Sequence, residues 1–185
     1  MEKKRCFWVD EKSPVYVKYH DEEWGVPVHD DKKLYEMLLL EAFQAGLSWI
    51  TILKKREEFR TAFDDFCAEK VASYGEDKLE ELMQNKGLIR NRKKMEAAVK
   101  NARVFLQIQE EFGSFSRYLW GFTDGKVILN QDDNFAVKTE LSDRLSKDLK
   151  KRGMAFVGSV TIYSFLQAVG VVNDHELSCV CRKCN

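Results

Sequence analysis

The stretch from Leu38 to Trp49, LLLEAFQAGLSW, constrains this chain more than any other, because it sets a carboxylate inside an apolar helical run and then breaks the run at Gly46. At about 100° per residue, Leu34, Leu38, Glu41 and Ala45 share one narrow stripe of a helix that begins near Asp30 or Asp31. Glu41 is therefore expected to face inward. A carboxylate withdrawn from water must be paired, protonated or held for a ligand, since an unpaired buried charge is costly and drives its pKa upward. A neighbouring arginine or backbone amide would give it a purely structural role; a ligand would make it a site. Gly46 turns a corner, and Ser48 is placed as the N-cap of a second helix carrying Trp49, Ile50, Ile52 and Leu53.

At 185 residues the chain can bury a core without staples, as one domain or as two small lobes sharing an interface. Its 2 prolines, Pro14 and Pro27, lie near the start and leave the remainder free to be helical. The 30 basic residues balance 30 acidic ones, which argues against a strongly basic, non-specific nucleic-acid binder while leaving room for local basic patches. No apolar run approaches the ~18 residues of a membrane span, and no hydrophobic segment follows Met1-Glu2-Lys3-Lys4-Arg5, so a cytosolic (cytoplasmic) protein is expected. In a reducing compartment Cys6, Cys67, Cys179, Cys181 and Cys184 read as thiols or metal ligands rather than a disulfide framework. Cys67, in an apolar context, reads as a small buried residue.

Periodicity predicts further helices near 68–73, 77–84, 92–111 and 114–120, and a short turn-and-strand signal within 123–136. Ser142 is placed to cap a helix ending at Arg152 and stopped by Gly153, and a last helix spans 159–169 with Gly170 as its C-terminal cap. The predicted architecture is all-α, built from many short helices, without internal repeat or linker.

Three groups of residues carry chemistry. The first is the segment Asn85-Lys86-Gly87-Leu88-Ile89-Arg90-Asn91-Arg92 between two predicted helices. A short turn that delivers the amides of a helix N-terminus makes an anion site, and Arg90, Arg92, Lys93 and Lys94 place cations where the helix dipole disfavours them. The plain alternative is an ordinary helix-helix corner with solvated lysines. The pattern resembles a helix-hairpin-helix motif, about 77–111, which grips a DNA phosphate through backbone amides; Gly87, Ile89, Arg90 and Arg92 are the residues it would bring to DNA.

The second group is metal-like. Cys6 and His20 near the start, with His175 and Cys179 near the end, supply two Cys and two His, the later pair at the i, i+4 spacing of one helical face. His175, Cys179, Cys181 and Cys184 form a competing local set, and a tail of unliganded thiols is a third reading. A zinc with four protein ligands clipping the two ends would be structural, acting chiefly by constraining the denatured chain. The third group is aromatic: Trp8, Tyr16, Tyr19, Trp24 and Trp49 gather near the same segments. Rings around one buried carboxylate suit a flat heterocycle, although each ring taken singly reads as core.

Together, Cys6-Phe7-Trp8, Tyr19-His20-Asp21-Glu22-Glu23-Trp24-Gly25-Val26-Pro27, Leu40-Glu41, Gln44-Ala45-Gly46-Leu47-Ser48-Trp49, Lys150-Lys151-Arg152-Gly153, Phe156-Val157-Gly158 and Val172-Asn173-Asp174-His175 resemble the 3-methyladenine DNA glycosylase I (TAG) family over nearly the whole chain. The resemblance implies a single glycosylase unit over 1–185, of the helix-hairpin-helix superfamily, that flips and excises 3-methyladenine from alkylated double-stranded DNA as a monomer. It implies a structural zinc on Cys6, His20, His175 and Cys179, leaving Cys181 and Cys184 as spare thiols. Glu41 would read the base edge, Trp8, Tyr19, Trp24 and Trp49 would line the pocket, and Gly46 and Leu47 would fill the gap left by the flipped nucleotide. The catalytic aspartate of many related glycosylases has no counterpart assignable here. One departure stands out: many members carry glycine after the glutamate, where this chain has Ala42, whose methyl is expected to tighten the pocket wall. A competing class, a zinc-stapled DNA-binding module without catalysis, would keep Gly87 and the zinc set but have no use for Glu41 beside Trp49. A thiol-based redox protein lacks a charged activating site for its cysteines.

Overall fold

Asp30 starts the helix that organises the molecule: its side chain accepts the Lys33 amide at 2.8 Å and opens α2, Asp31–Gln44. In this computed structural model, which describes residues 4–131 and 136–182, every residue of α2 from Leu34 to Phe43 is buried. The helix is enclosed on all sides, not along the one stripe that periodicity predicts, and such a helix belongs to the centre of a core. It packs against α3 (Trp49–Ala62), α6 (Arg92–Phe112), α7 (Phe115–Gly121) and α9 (Ser159–Ala168). The short α4 (Ala68–Ala72) lies on α6, α5 (Glu76–Gln84) leads into the hairpin, and α8 (Glu140–Arg152) pairs with α9. One continuous apolar core includes residues from Cys6 to Cys179.

The all-α expectation holds. Among the described residues the only sheet is two residues wide, β1 (Ile128–Leu129) parallel to β2 (Val172–Asn173). Part of the predicted 123–136 strand region, 132–135, lies outside the described residues, as does Cys184.

Several local expectations are corrected. Helix α1 (Pro14–Glu22) has no counterpart in the periodic reading, because only Tyr19 and His20 of its residues are buried; Pro14 at its first turn is the one start signal. The cap of α8 is Thr139, not Ser142. Thr139 Oγ1 accepts the Ser142 amide at 3.3 Å and Ser142 Oγ accepts the Thr139 amide at 2.9 Å, a reciprocal capping box with serine in the returning position. Ser48 does precede α3, but its hydroxyl meets Thr51 Oγ1 at 2.7 Å and caps no amide. His175 and Cys179 do not share a helical face, since 174–182 is irregular with turns. Cys67 is only half-buried, its thiol donating to Glu69 at 3.2 Å.

Candidate active site and metal centre

Near the C-terminal end of α2, Glu41 is 3% exposed, and its Oε2 has no hydrogen-bond partner. No cation pairs with it among the described residues, and burial pushes its carboxyl up to about 8. It lines a cavity of about 260 Å³, suited to one heterocyclic base. The walls come from separate parts of the chain: Trp8 from the N-terminal segment, Tyr19 from α1, Trp24 from the loop after α1, and Trp49 from the first turn of α3. Tyr19 and Trp49 lie 5.4 Å apart between ring centroids, and Trp8 meets Trp24 edge-on at 4.9 Å. The Trp49 indole nitrogen is also buried without a partner. Two unsatisfied polar groups in one aromatic cavity are an unfinished hydrogen-bond set, which a flat ligand bearing donors and acceptors can complete.

The cavity thus brings together Glu41, Trp8, Tyr19, Trp24 and Trp49. It also takes in Phe7, Tyr16, Gln44, Ser164 and Gln167. Tyr16 belongs to the aromatic group seen in the sequence, whereas Ser164 and Gln167 on α9 give no sequence signal, being polar positions of a helix that otherwise reads as core. Ala42 does not line this cavity. It faces a small separate space with Tyr35, Leu39 and Lys94, so its methyl does not tighten the base pocket.

Beside the aromatic wall, Cys6, His20, His175 and Cys179 present four ligand atoms within 4.8 Å of one another, all from buried residues. Cys6 Sγ is 3.4 Å from His175 Nδ1, and Cys179 Sγ is 3.5 Å from both His20 Nε2 and His175 Nδ1. For Zn–S and Zn–N bonds of about 2.3 and 2.0–2.1 Å, the S···N edge of a tetrahedron is about 3.6 Å, so the donors are spaced to hold such an ion. The opposite ring nitrogens are engaged as ligand histidines require: His20 Nδ1 meets Asp21 at 2.8 Å, and His175 Nε2 meets the Trp24 carbonyl at 3.0 Å. Arg5 in turn grips Asp21 at 2.8 Å. Burial holds His175 neutral and pushes the Cys6 thiol up; a cation between them would reverse the thiol's preference and bind the thiolate. Cys181 stands outside this set, 3.9 Å from the other ring nitrogen of His20.

The two DNA-facing expectations have distinct geometries. Gly46 has φ +83° with nothing within 4 Å of a Cβ placed there, and Leu47 beside it is 37% exposed. In the hairpin, Gly87 lies against the exposed Glu58 side chain, which would have to move aside for a Cβ there, since its Cγ would lie 2.3 Å away. Ile89 is half-buried and Arg90 is exposed without an ion pair among the described residues. Arg92 is instead held by Glu76, Glu80 and Glu96 at 2.5, 2.6 and 2.8 Å. Lys94, expected to add charge to the hairpin, is buried.

These features sit on a chain whose relatives are clear. The methyladenine glycosylase family model matches residues 8–183, and the chain belongs to that family. It is 48% identical over 180 residues to DNA-3-methyladenine glycosylase 1 of Escherichia coli (strain K12), covering 96% of each chain. Its fold superposes on crystalline 3-methyladenine DNA glycosylase I with TM-score 0.94 at 46% identity, covering 97% of this chain and 100% of that one. A tyrosine-to-phenylalanine variant of 3-methyladenine DNA glycosylase I, solved in complex with 3-methyladenine, matches with TM-score 0.91 at 42% identity over 94% of this chain and 96% of that one.

Proposed function

We propose that this chain is a monofunctional DNA repair glycosylase that removes 3-methyladenine from alkylated double-stranded DNA by hydrolysing the N-glycosidic bond. The observation that carries the reading is Glu41, a buried carboxylate that among the described residues has an unpartnered oxygen and no cation, in an aromatic cavity of one-base size. Methylation at N3 makes adenine cationic and weakens its bond to the sugar, so the departing base needs no general acid. A carboxylate held near neutrality by burial gains most from a cationic partner, so Glu41 selects the methylated base over ordinary adenine, with Trp49 and Tyr19 against its faces. Binding alone does not accelerate cleavage. The base must also be brought out of the stack, and Gly46 with Leu47 forms the exposed corner suited to fill the gap, while Gly87, Ile89, Arg90 and Arg92 belong to the hairpin that approaches the backbone.

The metal we assign is zinc, on Cys6, His20, His175 and Cys179, with a structural role because protein donors fill all four positions. Its place is beside the pocket: His175 holds the Trp24 carbonyl, and the Trp8 ring lies 5.2 Å from His20. We read 1–185 as one unit acting as a monomer in the cytoplasm; among the described residues no helix is long and apolar enough to cross a membrane.

The deciding measurement is release of free base from methylated duplex DNA: the reading expects 3-methyladenine and an abasic site, and a folded, metal-loaded chain that releases none defeats it. About one zinc per chain should survive dialysis and be lost in Cys6→Ala; full retention in that variant would remove Cys6 from the set.

A further inference from the structure

The hairpin at 85–92 and the corner at 45–48 belong to different helices, and one buried side chain ties them. Lys94, 7% exposed, donates at 2.7 Å to the Phe43 carbonyl and at 2.7 Å to the Ala45 carbonyl. These lie at the end of α2, where a helix leaves acceptors unsatisfied and presents the negative end of its dipole. Lys94 has no acidic partner among the described residues, so its ammonium is spent on those carbonyls. Its own amide is held at 3.2 Å by the side chain of Asn91, the cap that joins the hairpin to α6.

The corner hangs directly from this fastening. The Leu47 amide donates to the Gln44 carbonyl at 2.7 Å, and Gln44 Nε2 donates to the Leu47 carbonyl at 2.7 Å. On the same helix, Asn101 clasps Ala155 through its N–H and C=O, both at 2.9 Å, and the neighbouring Phe156 ring lies 5.8 Å from the Lys94 ammonium. One face of α6 therefore holds the end of α2 and the 153–158 loop together. A methionine would fill the same volume but offers no donor to either carbonyl, and burying an ammonium is costly unless such partners repay it.

We propose that Lys94 is a positioning residue for base flipping: by fastening the C-terminal end of α2 to the start of α6, it sets the Gly46-Leu47 corner at a fixed place relative to the hairpin. A duplex gripped by the hairpin then meets the corner in register with the Glu41 cavity. This rests on the reading of the chain as a base-excising glycosylase. Lys94 touches neither base nor sugar in this scheme; it acts through the corner.

Three measurements on the full-length, metal-loaded protein test it: amide hydrogen exchange without DNA, single-turnover release of 3-methyladenine from methylated duplex, and affinity for free 3-methyladenine. Lys94→Met should speed exchange at Leu47 about tenfold, with amides of 34–40 unchanged. It should slow excision by about tenfold to hundredfold, the cost of a misplaced group, while free-base affinity stays within about twofold because the pocket itself is intact. Lys94→Arg, which keeps the charge and donors, should recover part of the rate. Unchanged exchange at the corner, excision within about twofold of wild type, or free-base affinity falling in step with the rate would each overturn the proposal. Where Lys94→Met does not fold, Lys94→Leu, which likewise has no donor, is read by the same three criteria. A wild-type chain that releases no base defeats the functional reading, and the exchange measurement still decides whether Lys94 fastens the corner.

Discussion

Glu36 and Glu41 stand five residues apart on α2 and are equally withdrawn from water, at 4% and 3% exposure, yet they occupy opposite electrostatic worlds. Glu36 is gripped by Arg56 at 2.7 Å, Arg60 at 2.9 Å and Lys33 at 3.2 Å, and Arg56 is shared with Glu23 at 2.8 Å. Among the described residues Glu41 has no cation, and its Oε2 has no partner. Burial is the same; the company differs. A carboxylate whose charge is matched within the protein is finished at folding, whereas one left unmatched either stays protonated or waits for a ligand.

The largest effect concerns pH. The Glu41 carboxyl rises from 4.5 to about 8 on folding, so its contribution to stability is fully present below its unfolded value and is lost as pH rises through about 8. Wild type should lose up to about 4 kcal/mol between pH 5 and 9 from this group, and Glu41→Gln should flatten that part of a thermal-unfolding series. An identical pH profile in the variant would mean that Glu41 is already matched. Next, Glu36→Gln strips a partner from two arginines and should cost about 3 kcal/mol in denaturant unfolding, with free-base affinity unchanged. A loss of base binding there would erase the distinction between the two glutamates.

Third, Glu41→Gln should lower both excision rate and affinity for free 3-methyladenine by about thirtyfold, the loss of one charged hydrogen bond. Retention of both would leave the carboxylate with no role in recognition. The smallest effect carries the same contrast to the hairpin. Arg90→Ala should weaken duplex binding a few-fold and reduce its salt slope by about one, while Arg92→Ala, already matched by three glutamates, should change the slope less. Equal slopes for the two variants would show that ion pairing within the protein does not withdraw Arg92 from DNA.

The sequence discloses most helices through apolar periodicity, and the structure adds side-chain caps at some of their starts, Asp30, Asn91 and Ser114 each accepting an amide three residues on. It conceals α1, where the packing that holds the helix involves few of its own residues. It reveals Glu41 through periodicity, but the same stripe leaves Glu36 on the opposite face and gives no sign that it is buried against Arg56 and Arg60 of another helix. The metal donors are visible as residue types, yet spacing misleads at His175 and Cys179, because four residues of irregular chain can bring two side chains together as well as one helical turn does. Ser164 and Gln167 reach the cavity only through the packing of α9 on α2. Lys94 reads as a surface cation for the same reason: its acceptors are backbone carbonyls about fifty residues away, and a carbonyl has no letter in a sequence.

The junction of the metal donors with the aromatic wall has a consequence in time. Trp24 meets His175 edge-on at 4.7 Å, and Trp8 leans in turn on Trp24 and His20, so rings from early in the sequence rest on a donor about 150 residues further along. The donor cluster is therefore completed only by the segment that follows α9. A nascent chain stalled short of Cys179 would therefore carry Glu41 and its neighbouring rings without the four-donor cluster beside them, which forms only as the later segment folds back onto the earlier one.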